Sequence, residues 1–242
     1  MTLTRSPHQE IRLRRDPQAI RAMFAQVARR YDLLNRVLSL RQDVRWRRRL
    51  IEALEVAPVG PVLDVACGTG DVALAVRGRT AVGADFCLEM LVLARRKARR
   101  KRQATPWVAA DALALPFRDS SFAAATVAFG VRNFADLGQG LAEIARVLCP
   151  GGVLGVLEFH TARRRLVARL SALWNRWVVK PVGGLLSDDA AAYAYLPASV
   201  DTFADPQSFA DACRRVGLKP QRQRELSGGI AVLTVVHKGG AE

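Results

Sequence analysis

"VLDVACGTGD", residues 62–71, decides how the whole chain is read. Residues 62–66 are apolar except for Asp64, and Gly68 and Gly70 then follow in a loop that ends on a second acid, Asp71. An apolar run that stops on glycines reads as a buried strand turning sharply, and such a turn lets backbone approach a ligand closely. The flanking sequence repeats the theme. Strand patterns at 62–66, 80–84, 106–109, 122–128 and 152–159 alternate with helical patterns near 71–77, 88–101 and 137–148. The four residues "CPGG" at 149–152 break the last of these helices, and a helix at 206–216 with strands near 219–226 and 230–237 closes the chain. This alternation predicts an α/β fold, a mostly parallel sheet with helices on both faces.

Upstream, Met23, Val27, Tyr31, Leu34, Val37, Leu38 and Trp46 recur at helical spacing between Ala19 and Leu54, before Pro58, Gly60 and Pro61 punctuate. Residues 1–17 read as a flexible basic arm and 18–242 as one domain, with N-terminal lid helices at 18–58 and an insertion at 160–200. Cys67, Cys87, Cys149 and Cys213 form no C-x-x-C pair, which argues against a zinc site or a disulfide framework; no metal is expected. No apolar run reaches membrane-spanning length and the N-terminus lacks a signal-peptide core, so a cytoplasmic location is expected. The net charge of +15 points to an anionic neighbour, lipid or nucleic acid.

In an open parallel sheet the ligand sits at the carboxyl ends of the strands, where the first strand delivers the glycine loop. "GTGDVA" satisfies a dinucleotide-type pattern, but Asp71 beside the loop would repel a pyrophosphate. A cation without phosphates meets no such conflict, and S-adenosylmethionine is one. Asp85 ends the second strand, where a carboxylate can accept ribose hydroxyls, and Asp111 with Ala112 ends the third, near an adenine edge. Each acid alone would as readily cap the helix that follows it.

Several stretches resemble the signatures of the menaquinone/ubiquinone C-methyltransferases, the UbiE/MenG family of class I S-adenosylmethionine enzymes. They are "MFAQVARRYDLLNRVLSL", "LDVACGTGD", "ADALALPFRDSSFA", "AFGVRNFADL", "EIARVLCPGG", "LEFH", "YAYLPASV" and "LSGGIAVL", in order from about residue 20 to 236. The resemblance implies a Rossmann-like sheet of seven strands, S-adenosyl-L-methionine as cofactor, and contacts to it from Thr69, Asp85 and the Asp111–Ala112 pair. The general class I pattern adds Asp64, Gly68 and Gly70. The chain departs from the family at Ala128, where a serine is common, at Arg41, where glycine is usual, and at "EFHTA", which puts His160 where no role carries over.

The family reaction moves a methyl group from sulfonium sulfur to a ring carbon of a quinol, which needs alignment and stabilisation of phenolate character. Arg132 and Asn133 follow the fourth strand and are expected to face the crevice, Arg132 meeting the developing oxyanion and Asn133 orienting the ring; the alternative is that Arg132 pairs with a structural acid and Asn133 caps a turn. Asp43 is a candidate base, with pairing to a neighbouring arginine as the alternative. Tyr31 and Asp32 would help the lid, Cys67 would pack beneath the cofactor, and His160 is a candidate proton acceptor or a structural residue. The implied partner is a lipid-tailed quinol, demethylmenaquinol first and a ubiquinone-pathway benzoquinol second, with a homodimer left open. An RNA or protein methyltransferase is the rival that the basic runs "RWRRR" and "ARRKARRKR" raise, yet they lie on outer helices without interleaved aromatics, so no nucleic acid is expected. The stretch 162–180 mixes arginines with leucines and tryptophans, as a helix lying transiently in a membrane interface would, or as a basic surface helix would.

Overall fold

The computed structural model describes residues 16–160, 199–200 and 203–240. Helices α1 (Pro17–Leu38) and α2 (Gln42–Glu52) precede the sheet. Then come β1 (Val62–Val65), β2 (Ala81–Asp85), α3 (Leu88–Arg100), β3 (Trp107–Ala109), β4 (Phe122–Ala128), α4 (Leu137–Val147) and β5 (Leu148–Phe159). Helix α5 (Pro206–Arg215) and strands β6 (Leu218–Leu226) and β7 (Ala231–Lys238) complete it. The strands form one seven-stranded sheet in the order β3-β2-β1-β4-β5-β7-β6. The first five run parallel, and β7 pairs antiparallel with both β5 and β6. The order reverses between β1 and β4, which puts the β1 glycine loop at the switch point of an open sheet, where such folds bind ligands.

Side-chain alternation explains the layering. On β1, Val62 packs with Trp46, Leu50 and Leu54 of α2 on one face. Leu63 and Val65 pack with Leu141 and Ile144 of α4 and Phe209 of α5 on the other. Three helices carry their own start signal: Asp16, Asp136 and Asp205 cap α1, α4 and α5 by accepting first-turn amides, and Pro17 and Pro206 occupy first helical positions.

Two expectations need correcting. The helix read near 71–77 is only a single 3-10 turn, Ala73–Ala75, because the chain is extended again at Val76. Strand β5 begins at Leu148, four residues before the expected 152. Leu148 pairs with Phe122 and a register shift absorbs the Pro150–Gly152 stretch. The arm expected at 1–17, the insertion at 160–200 and the interfacial helix at 162–180 fall largely or wholly outside the described residues. Among the described residues no helix is long and apolar enough to cross a membrane, and no His/Cys/Asp/Glu cluster could hold a metal.

Candidate active site

The loop after β1 is shaped by left-handed backbone. Ala66 has φ 52°, Gly68 53° and Gly70 80°, and of these only the glycines adopt such angles without strain. The two glycines face different ways. Gly68 looks toward the Tyr31 ring, 3.9 Å from where a Cβ would stand. At Gly70 a Cβ would collide with the Trp107 indole at 2.3 Å, so packing by itself requires glycine there. Thr69, between them, is buried and donates to Asp32 of α1 at 2.6 Å while accepting from Lys97 of α3 at 2.7 Å.

Beneath the loop Asp64 is buried among apolar strands. It accepts from Thr126 of β4 at 2.8 Å and from the Ala73 amide at 3.0 Å, bridging β1, β4 and the 3-10 turn. Burial pushes its pKa up to about 7 despite those hydrogen bonds. The Cys67 thiol is likewise raised, by burial first and then by the Asp64 and Asp85 charges, so it stays protonated and unreactive at neutral pH.

An open cleft lies over this loop. Gly68, Asp85, Asp111, Ala112 and Leu113 line it from the strand ends, and Phe24 and Tyr31 from α1. Phe129, Gly130, Asn133 and Phe134 line it from the segment after β4. Asp85 accepts the Gly68 amide at 2.7 Å and the Cys87 amide at 2.8 Å, and Asp111 accepts the Leu113 amide at 2.9 Å. Both acids therefore cap their turns and border the cleft at once. Two carboxylates, a glycine amide edge and aromatic walls suit a cationic adenosyl compound; the capping bonds use only some of each carboxylate's acceptor sites.

The segment after β4 is held by a buried ion pair. Phe129 stands at φ 60°, strained for a bulky residue, and stacks on Phe159 with ring centroids 4.4 Å apart. Arg132 Nη1 donates to the Phe129 carbonyl at 2.6 Å and to Glu158 Oε1 at 2.7 Å, and its backbone amide donates to Glu158 Oε2 at 3.3 Å. The side chains of Arg132 and Glu158 are 5% and 2% exposed, so the pair sits behind the cleft wall. Of the two readings of Arg132, pairing with a structural acid is the arrangement observed: its guanidinium is committed to Glu158 and to the strained turn, not to the crevice. Asn133, next along the 3-10 turn, does line the cleft.

Asp43 is the other displaced candidate. It is buried on α2, accepts from Ser39 Oγ at 2.8 Å and pairs with Arg47 one turn on, and it is not among the residues that line the cleft. The arginine pairing that the sequence left as the alternative is the arrangement observed. His160 donates its amide to the Ile230 carbonyl at 3.1 Å, and its ring tilts against Phe203 at 5.5 Å.

Reading the sequence missed Lys97. It lies in the basic run "ARRKARRKR", yet its ammonium reaches Asp32 at 2.5 Å, Asp71 at 2.7 Å and Thr69 at 2.7 Å. Asp71, the acid expected to repel a phosphate, is thus neutralised: burial raises its pKa, but the charge and hydrogen bond of Lys97, with Arg47, bring it below the ordinary value. A signal was present, since Lys97 falls beside Met90, Leu91, Ala94 and Ala98, the buried stripe of α3. Glu158 was missed too, an acid inside an otherwise apolar strand, paired with the buried guanidinium of Arg132.

The comparisons with known proteins match this architecture over nearly the whole chain. The model of the ubiE/COQ5 methyltransferase family matches residues 12–239. The chain belongs to that family. The demethylmenaquinone methyltransferase of Deinococcus radiodurans is 48% identical over 226 residues, covering 91% of this chain and 93% of that one. The ubiquinone/menaquinone biosynthesis C-methyltransferase UbiE of Geobacter sulfurreducens is 41% identical over 235 residues, covering 94% and 91%. A crystal structure of an S-adenosylmethionine-dependent methyltransferase from Aquifex aeolicus superposes with a TM-score of 0.57 at 14% identity, over 79% of this chain and 89% of that one. That likeness concerns the fold alone, which is the class I methyltransferase fold.

Proposed function

We infer that this methyltransferase uses S-adenosyl-L-methionine to methylate a ring carbon of a lipid-tailed quinol. Demethylmenaquinol is the leading substrate and a benzoquinol of the ubiquinone pathway the alternative. The observation that carries the reading is the make-up of the cleft: the carboxylates Asp85 and Asp111 line it together with the rings of Phe24, Phe86, Phe129 and Phe134 and with Asn133. When bound, the cofactor supplies an electrophilic methyl group on a sulfonium. Asp85 and Asp111, with the Gly68 loop, would hold its charged and hydroxylated parts, and Thr69, fixed by Asp32 and Lys97, would set the loop height. The aromatic walls would sandwich a flat apolar ring. Asn133 would orient the ring hydroxyl, and Arg132 would keep Asn133 in place and lend positive potential to a forming phenolate. Asp64, Gly70 and Asp43 act on this reading as supports of the loop and of α2.

A polynucleotide substrate is disfavoured by the same walls, which offer few polar groups to a base edge. The test is direct. Purified protein is given labelled S-adenosylmethionine with demethylmenaquinol, with the benzoquinol precursor, or with RNA. Label is expected in the menaquinol fraction, and label in RNA alone would overturn the assignment.

A further inference from the structure

The lid helix α1 shows aromatic residues to the cleft and aliphatic ones to solvent. Phe24 and Tyr31 line the cleft, whereas Leu33 follows Tyr31 by two residues, about 200° around the helix, and Val37 continues that outer side one turn later. Leu33 is 54% exposed, Val37 39%, Leu40 66% and Val44 46%, so an aliphatic row runs from the end of α1 across the elbow onto α2. The elbow that presents it is strained. Leu40 has φ 50° and Arg41 φ 61°, left-handed values that glycine would take at less cost, yet both positions carry large side chains that point into solvent.

Exposed charge along this segment of the chain is of one sign. Between residues 33 and 48 the chain has a single acid, Asp43, and that carboxylate is buried on Arg47. Arg36, Arg41 and Arg45 stand exposed beside the aliphatic side chains. Exposed aliphatics among cations, with no exposed acid, complement a bilayer bearing anionic headgroups: the side chains enter the acyl boundary and the guanidiniums meet phosphates. A polynucleotide would use the arginines but leave the aliphatic row in water.

We propose that the α1–α2 elbow, with Leu33, Val37, Leu40 and Val44 set among Arg36, Arg41 and Arg45, is the surface by which the protein docks on an anionic membrane. The lid helix then lies between the bilayer and the cleft. This deepens the reading of a lipid-tailed quinol as substrate and rests on it: a tail still held in the bilayer can deliver its ring past α1.

The test is flotation of the full-length protein with phosphatidylcholine vesicles, with and without phosphatidylglycerol. Binding is expected only with the anionic lipid and should weaken as salt rises. The double variant Leu40→Ser/Val44→Ser should lose vesicle binding roughly tenfold or more, since two aliphatic anchors are removed. Its S-adenosylmethionine affinity, its melting temperature and its turnover of a short-tailed quinol without vesicles should stay at wild-type values. Equal binding by the double variant overturns the assignment, as does a vesicle-independent change in its oligomeric state, which would mean the row is covered by a second copy. If quinols are not methylated but the vesicle results stand, the substrate reading fails and the docking surface survives.

Discussion

Asp85 accepts the Gly68 amide on one carboxylate oxygen and the Cys87 amide on the other, and it lines the cleft. Replacing it by alanine removes a charged acceptor, and S-adenosylmethionine binding should weaken by roughly 1.5–3 kcal/mol. Calorimetry on Asp85→Ala, with NAD as control ligand, measures this; unchanged affinity would take Asp85 out of the cofactor site. Arg132 requires a different design. Arg132→Ala leaves Glu158 buried and unpaired, which costs on the order of 3–5 kcal/mol, so a loss of rate in that variant alone would only report unfolding. Pairing Arg132→Met with Glu158→Gln removes both charges and keeps an oxygen for the Phe159 amide, which Glu158 accepts at 2.9 Å. Its melting temperature should recover most of the loss. Turnover should remain about a hundredfold low with cofactor affinity intact, because methionine neither holds the Phe129 carbonyl nor supplies charge near Asn133. Full rate in a stable double variant would remove Arg132 from the mechanism.

At the scale of elements, the lid and the loop are joined by one ammonium. Lys97 of α3 binds Asp32 of α1 together with Thr69 and Asp71 of the loop, so the seating of α1 and the shape of the cofactor loop are coupled through it. Lys97→Met should raise the cofactor Kd roughly tenfold, in the usual range for coupled sites, and should speed proteolysis within α1 while cofactor is absent. Since the acids it leaves behind are only about a quarter exposed, the melting temperature should fall as well, and the affinity is measured well below it. Lys97→Arg should restore part of the affinity; a Lys97→Met variant with normal affinity would show that lid and loop act independently. This contact also marks where sequence reading stops. The strands β1, β2 and β4 were legible because a short apolar run that ends in glycine or an acid fits a buried strand and little else. Lys97 was not, because a lysine inside a basic run looks solvated until its helix is packed. Glu158 lies 26 residues from Arg132, and no local pattern links them. The helix expected at 71–77 failed for a tertiary reason: Asp64, from below, takes the Ala73 amide and ties the turn to β1.

For the molecule as a whole, Asp64 sets a dependence of stability on pH. The folded chain holds this carboxyl with its pKa pushed from 3.8 to about 7, chiefly by burial, with the Asp85 charge adding and the Thr126, Ala73 and Arg47 interactions opposing. Unfolding returns it to the ordinary value. Between the two values the native state binds a proton that the unfolded chain releases, so its contribution to stability is complete below about pH 4 and is lost as pH rises through about 7. One such proton sets a slope of at most about 1.4 kcal/mol per pH unit. The lowered groups Asp71 and Glu143 act in the opposite sense, but in the acid range below their ordinary values of 3.8 and 4.5, outside this window. Asp85, raised by burial like Asp64, adds to the same trend. The melting temperature of the cofactor-free protein is therefore expected to fall between about pH 4 and 7 and to level off above that. Asp64→Asn should flatten that fall, since its amide can still accept from Ala73 and can donate to the Thr126 hydroxyl, while having nothing to titrate. A scan of both proteins across this range decides the matter. Parallel curves for the wild type and Asp64→Asn would mean that Asp64 is already ionised in the fold and that its burial is offset by the positive charge of the surrounding helices.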